Sequence, residues 1–267
     1  MPRLFRVRLA SSVLVLVLAG SACDMVDVYQ HEIDHASRVI EAAATDGARA
    51  TALASRGRAY SNKGRLSFVR HRIGRDEYVK LFELAMADHD RAVSLASSDA
   101  EMYFQRGLSR YDRAAQVEGV DADRTPWLDA ARSDFAAAVE REARHASAYD
   151  YLGLVDEQTG RIDEAIANYA HVMELEPRLG RSRLAELYCT QGQAHMKDRR
   201  FDLAAAELEK SVELAAASDG CSCEPYNALA YVYIDATGQY EKGQDLVGRA
   251  LASGHVIAPE YLARLAR

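Results

Sequence analysis

The pattern of apolar and polar positions predicts helices along most of the chain. Residues 28–43 have the apolar and polar pattern of an amphipathic helix, and Pro259 opens a last helix that carries Leu262 and Leu265. Between these segments, apolar and small residues recur in blocks that each predict two helices joined by a turn. Ala, Leu, Arg and Glu are abundant while Gly and Pro are few, which also favours helix. The sequence therefore predicts an all-α chain.

The clearest block covers residues 148–177. Its aromatic, apolar, small and turn-forming positions are Tyr149, Leu152, Gly153, Gly160, Ala165, Tyr169 and Pro177. Small residues at Gly153 and Ala165 allow two helices to approach closely. Gly160 supplies the left-handed backbone conformation that a tight turn between the helices requires.

This block recurs along the chain. Its leading small residue has counterparts that form the series Gly57, Gly107, Gly153, Gly192 and Ala230. The residues and offsets resemble the tetratricopeptide-repeat consensus over about residues 49–252. The resemblance implies an α-solenoid of about five helix-turn-helix repeats, with 23–48 and 253–267 containing the capping helices. Successive leads are 50, 46, 39 and 38 residues apart, against 34 in the basic repeat, so insertions are expected, the largest near 65–84 and 114–124.

The first 22 residues predict an export signal. Three arginines precede an apolar run over residues 10–19, which is too short to span a bilayer. The run continues as LAGSAC, which resembles the bacterial lipobox, in which a Cys after small residues receives acyl chains such as palmitate. The resemblance implies that Cys23 is the lipidated mature N-terminus, anchored on the periplasmic side of the inner or outer membrane of a Gram-negative bacterium. Gly20 departs from the pattern, which usually has Leu, Val or Ile there, so ordinary signal cleavage near Cys23 is the alternative.

The charge balance argues against one class of partner. The formal net charge is −7, and removal of residues 1–22, which contain three arginines and no acidic residue, makes it −10. An acidic domain of this kind does not attract nucleic acid through its overall field. We therefore expect protein partners and no nucleic acid.

Three cysteines remain after the signal: Cys189, Cys221 and Cys223. An oxidising periplasm permits a disulfide, and an odd number leaves one thiol over. The CSC sequence lacks the spacing of a CxxC redox centre or a zinc ribbon. A structural disulfide from Cys189 to Cys221 or Cys223 is the preferred interpretation, with metal or redox chemistry as the alternative.

One short sequence matches a catalytic pattern. His31, Glu32 and His35 form HExxH, which on a helix places two imidazoles and a carboxylate on one face, as zinc proteases require. Asp34 occupies a position that is uncharged in that family, and no segment downstream offers a recognisable third-ligand motif. A chance match is the better interpretation, so we expect no enzyme activity, no metal and no cofactor; a zinc hydrolase is a remote alternative.

The tetratricopeptide resemblance also implies a binding groove lined by the first helix of each repeat. The family's groove positions correspond here to partner-binding candidates Phe104, Leu108, Asp150, Glu157, Gln193, Lys197, Asn227 and Tyr231. The lining is acidic and apolar with a single lysine. It therefore suits a segment with apolar anchors and basic flanks.

A basic run, Arg65, Arg70, His71, Arg72 and Arg75, stands out in this acidic chain. It could contact anionic lipid or an acidic partner, or form a solvated loop beside Glu118, Asp121 and Asp123.

Together these features predict a non-catalytic interaction scaffold or assembly factor of the cell envelope. A fixed structural subunit of a larger envelope complex, such as a respiratory or secretion assembly, is the alternative.

Overall fold

The computed structural model describes residues 25–116, 123–215 and 224–265, and these are helical with no strand. The first six helices are α1 Met25–Ala42, α2 Asp46–Val69, α3 Arg75–Leu95, α4 Ala100–Gln116, α5 Thr125–Arg141 and α6 Ala146–Gln158. The others are α7 Ile162–Leu175, α8 Pro177–Lys197, α9 Phe201–Ala215, α10 Pro225–Ala230, α11 Tyr240–Ala252 and α12 Pro259–Leu265. A π-helical turn, Tyr231–Ala236, continues α10 directly. The all-α prediction is confirmed.

The helices pack in chain order, each against the next, as five hairpins between two end helices. The hairpins are α2–α3, α4–α5, α6–α7, α8–α9 and α10–α11, while α1 and α12 lie at the ends. Direct contacts also join the first helices α2 to α4 and α4 to α6. In a solenoid of helical hairpins the first helices form the concave layer, and we use that name for α2, α4, α6, α8 and α10.

Four glycines set the distance between the two helices of a hairpin. A Cβ atom on Gly153 would lie 2.5 Å from a ring carbon of Tyr169, a fully buried residue on the second helix. The same atom on Gly107 would lie 2.7 Å from Phe135, and on Gly192 it would lie 2.6 Å from Leu208. On Gly57 it would lie 2.9 Å from His89. Any side chain at these positions would push the helices apart.

These contacts locate the two largest insertions. The contacted residue follows the glycine by 16 positions in the third and fourth hairpins, but by 28 in the second and 32 in the first. The extra residues therefore lie between the two helices of a hairpin, at the same end of both units. In the first hairpin they lengthen both helices, α2 to 24 residues and α3 to 21, against 13 and 14 for α6 and α7.

A cation–aromatic cluster joins the extended first and second hairpins. The guanidinium carbon of Arg113 on α4 lies 4.5 Å from the ring centroids of both Phe82 on α3 and Trp127 on α5. Those two rings pack edge to face with centroids 5.1 Å apart. Arg113 is 8% exposed, so the cluster is a second, small core beside the repeat core.

Two residues of the basic run are helical, and three lie in the turn between α2 and α3. Arg65 belongs to α2, which continues to Val69, and Arg75 begins α3. The short connection contains Arg70, His71 and Arg72, and His71 adopts a left-handed φ of 54°. Of the expected acidic neighbours, Glu118 and Asp121 lie outside the described residues.

A histidine occupies the core position that Phe135 and Tyr169 fill in other hairpins. His89 is fully buried, and its Nε2 lies 2.9 Å from Ser109 Oγ. Burial, followed by the charges of Arg106, Arg110 and Arg58, lowers the pKa of His89 to about 3. The ring therefore stays neutral in the folded protein at pH values where an unfolded histidine is protonated.

We expect Gly153→Ala to destabilise the protein, because its methyl group would overlap the buried ring of Tyr169. The free energy of unfolding should fall by about 1–3 kcal/mol, which outweighs the helix propensity gained. Gly248→Ala in α11 is the matched control, since its Cβ would meet nothing within 4 Å. Urea denaturation measures both variants; an equal gain in stability in both would contradict the close-approach interpretation.

His89 makes stability depend on pH. Because its pKa is lower in the folded state than in the unfolded state, the unfolded state binds more protons below about pH 6.5. The free energy of unfolding should fall as the pH decreases from 7 towards 4, by at most about 1.4 kcal/mol per pH unit from this group. Replacing His89 by Phe together with Ser109→Ala should flatten that dependence in denaturation curves at pH 7, 6 and 5. An equal pH dependence of the free energy of unfolding in the variant and the parent protein would refute this role of His89.

Candidate functional site

The concave layer contains an open pocket between α6 and α8. Leu154, Glu157, Gln158, Arg183, Glu186 and Thr190 line this pocket, whose volume is about 200 Å³. Its residues come from the last turns of α6 and the middle of α8. The sequence-predicted Glu157 is among them, so at least one of the candidate residues faces an open cavity.

Glu157 is the most perturbed acid of the pocket. Burial and the neighbouring charge of Glu186 raise the pKa of Glu157, while the Tyr169 hydroxyl donates a hydrogen bond to its carboxylate at 3.1 Å. The charge of Arg183 lowers the pKa of Glu157 and so partly opposes this shift, but its Nε and Nη2 donate to the two oxygens of Asp150 at 2.6 and 2.9 Å. A cation entering this pocket would therefore find Glu157 with a neutral hydrogen-bond partner and a desolvated carboxylate.

Two predicted contact residues lie in the interior instead of the groove. Phe104 is 8% exposed and packs against Phe135, His145 and Tyr151, with ring centroids 4.7 to 5.9 Å apart. Asp150 is 7% exposed and fully engaged by Arg183. Each occupies the position three residues before the lead glycine. That position turns towards the next first helix, because the first helices pack directly against each other.

The same position is also turned inward in the last two hairpins. Cys189 is fully buried. The side chain of Asn227 is half-buried and holds the segment before α12: its Oδ1 accepts from Ala258 N at 3.0 Å, and its Nδ2 donates to Val256 O at 3.4 Å. The side-chain amide of Asn227 thus makes hydrogen bonds within the fold.

The remaining candidates occupy positions that face the groove. Gln193 and Lys197 are exposed on α8, and Tyr231 is 38% exposed where α10 becomes the π-helical turn. Leu108 is half-buried and packs against the core of the second and third hairpins. Gln193, Lys197 and Tyr231 are therefore open to solvent, and their contact with a partner remains a prediction.

Sequence analysis missed a polar cluster on α4 and α6. Gln158 Nε2 donates to Tyr111 Oη at 2.7 Å, and the rings of Tyr111 and Tyr151 pack edge to face at 5.4 Å. Burial raises the pKa of Asp112, and the positive charge of Arg65 partly opposes this shift. Tyr111 and Asp112 lie four and five residues after Gly107, the same offsets as Glu157 and Gln158. That register could have identified them.

The cysteines are only partly described. Cys189 is disulfide-bonded. Cys221 and Cys223, like Cys23, lie outside the described residues, so the pairing remains a prediction.

The HExxH segment lies on α1, where His31 and His35 are exposed. Within the described residues no group of three or more His, Cys, Asp or Glu side chains is arranged to hold a metal ion. No described helix has the length and apolarity needed to cross a bilayer.

The hairpin register and the inner layer of first helices define a helical-repeat protein of the solenoid class. Within that class, residues 146–179 and 185–218 match the tetratricopeptide-repeat family model. The chain therefore carries tetratricopeptide repeats, which confirms the resemblance based on Gly153 and Gly192. No curated protein sequence matches the chain significantly.

Solved structures resemble the same architecture distantly. MamA is 19% identical with a TM-score of 0.45, covering 73% of this chain and 96% of MamA. TTC0263, a thermophilic TPR protein of Thermus thermophilus, is 20% identical with a TM-score of 0.38, covering 81% of this chain and 98% of TTC0263. Similarities of this size assign no function to the present chain.

Proposed function

We propose that this protein is a non-catalytic scaffold that holds a segment of a partner protein in its concave groove. The tetratricopeptide fold supports protein–protein interaction as the general role. The observation that carries the proposal is the open pocket around Glu157 in the first-helix layer. Leu154 supplies an apolar wall there, and Glu157 and Glu186 supply carboxylates, so the partner segment would carry apolar anchors and basic flanks.

The cellular setting is part of the proposal. Cys23 in the LAGSAC sequence supports a lipid anchor, and the export signal supports the periplasmic face of a bacterial membrane. The partner would then be another envelope protein. A role as a fixed structural subunit is the second candidate, favoured by the two hairpin extensions that the Arg113 cluster joins into one lobe.

Photo-crosslinking tests the groove. A photoreactive residue at Gln193, on the groove side of α8, should give discrete adducts in living cells, whereas one at Glu164, exposed on the second helix α7, should not. Glu157→Lys should reduce the Gln193 adducts about tenfold or more, because it reverses charge where the basic flank binds. Adducts from Glu164 alone would place the partner elsewhere.

Detergent extraction then distinguishes an assembly factor from a fixed structural subunit. A fixed subunit co-purifies with its partners in constant stoichiometry, whereas an assembly factor is substoichiometric.

The lipid anchor has its own test. In cells grown with radiolabelled palmitate, the parent protein should become labelled. Cys23→Ser should abolish the label and release the protein from membranes, because the two or three acyl chains attached at Cys23 are lost. Cys189→Ser, which keeps Cys23, controls for loss of a cysteine. Label retained in the Cys23→Ser protein would refute anchoring at this residue.

A further inference from the structure

A second cavity opens on the face opposite the groove. It lies between α9 and α11, the second helices of the fourth and fifth hairpins, and its volume is about 490 Å³. This is within the range of pockets that hold small ligands. Leu229 of α10 and Tyr233 of the π-helical turn also line it, and it shares no residue with the pocket at Glu157.

The floor of this cavity is apolar and its rim is acidic. Val212, Leu229 and Leu246, each 1–2% exposed, form the floor. The rim carries the carboxylates Glu209, Glu213, Glu241 and Asp245. An apolar floor below a charged rim matches a long side chain that buries its methylene stem and keeps its charged end at the opening.

The rim also carries two cations, Lys242 and Arg249, and both contact neighbouring side chains. The ammonium nitrogen of Lys242 lies 5.3 Å from the ring centroid of Tyr233, and Arg249 pairs with Asp245 at 3.7 Å. The Tyr233 hydroxyl donates to Glu209. Glu213 and Glu241 are exposed and have no cationic partner among the described residues. The rim therefore carries four carboxylates against two cations, a net negative charge shared by two walls.

Backbone packing fixes these walls. The π-helical turn Tyr231–Ala236 lies against α11, where a Cβ atom on Gly243 would come within 2.6 Å of Ile234. This close contact places α11, with Glu241 and Asp245, beside α9, with Glu209 and Glu213. The packing of Gly243 against Ile234 and the hydrogen bond from Tyr233 to Glu209 thus both position the walls of the cavity.

We infer that this cavity binds an arginine side chain from a partner protein. Its aliphatic stem would contact Val212 and Leu246, and its guanidinium would lie between Glu213 and Glu241. Arginine fits better than lysine, because a planar guanidinium can donate to carboxylates on two sides at once. The protein would then hold partner segments on both faces, one in the groove and one here.

Titration with a blocked arginine tests the inference without knowledge of the partner. N-acetyl-arginine methylamide is added to the isotope-labelled mature domain, residues 24–267, with methyl resonances of Val212, Leu229 and Leu246 as reporters. These should shift saturably, and N-acetyl-citrulline methylamide, a neutral isostere, should bind at least about tenfold more weakly. Raised salt should weaken the arginine probe.

Variants separate this site from surface charge in general. Glu213→Gln with Glu241→Gln should raise the dissociation constant about three- to tenfold. Glu83→Gln with Glu164→Gln, which removes two exposed carboxylates from α3 and α7, should leave it unchanged. Absence of saturation, equal binding of citrulline, or equal effects of both double variants would overturn the inference. Shifts at Leu154 in place of the three reporters would locate the arginine in the groove, which overturns this site and leaves the proposed function standing.

Discussion

The close approach of two helices at a glycine is the constraint on which the structure depends. At Gly57, Gly107, Gly153 and Gly192 the second helix comes so near that no side chain could be accommodated. This contact fixes the register of each hairpin and positions its neighbours. Arg56 and Arg106, each directly before a lead glycine, donate to Asp88 and Asp134, each directly before the contacted residue, at 2.6 to 3.1 Å. The same partly buried charge pair thus occurs in the first two hairpins because they share the glycine register.

The register also explains how large insertions are tolerated. A repeat contacts its neighbours mainly through the part of each helix near the glycine, so extra residues at the hairpin end do not disturb the stack. In the first two hairpins these residues extend beyond the repeat core and need a core of their own. Arg113 between Phe82 and Trp127 provides it. The two extensions therefore stabilise each other, although neither belongs to the repeat pattern.

The solenoid offers two chemically distinct surfaces. The first helices α6 and α8 line a small open pocket that includes Leu154, Glu157 and Gln158. The opposite face has an acidic-rimmed cavity whose walls depend on a π-helical turn. Both surfaces carry negative charge, in keeping with a chain of net charge −7. A scaffold of this kind would select basic segments on either face.

The sequence by itself determined the all-α class and the series of lead positions, because small and apolar residues at fixed offsets describe local helix geometry and one helix–helix contact. It predicted Glu157 as a groove residue for the same reason, and Glu157 lines an open pocket between α6 and α8. It could not determine that Phe104, Asp150 and Asn227 turn inward, since their burial depends on the next first helix and on the segment before α12. Nor could it reveal the Arg113 cluster or the cavity at Glu213, which bring together residues from three separate elements. Offsets within a helix pair are encoded locally, whereas the distances between successive pairs are decided by tertiary packing.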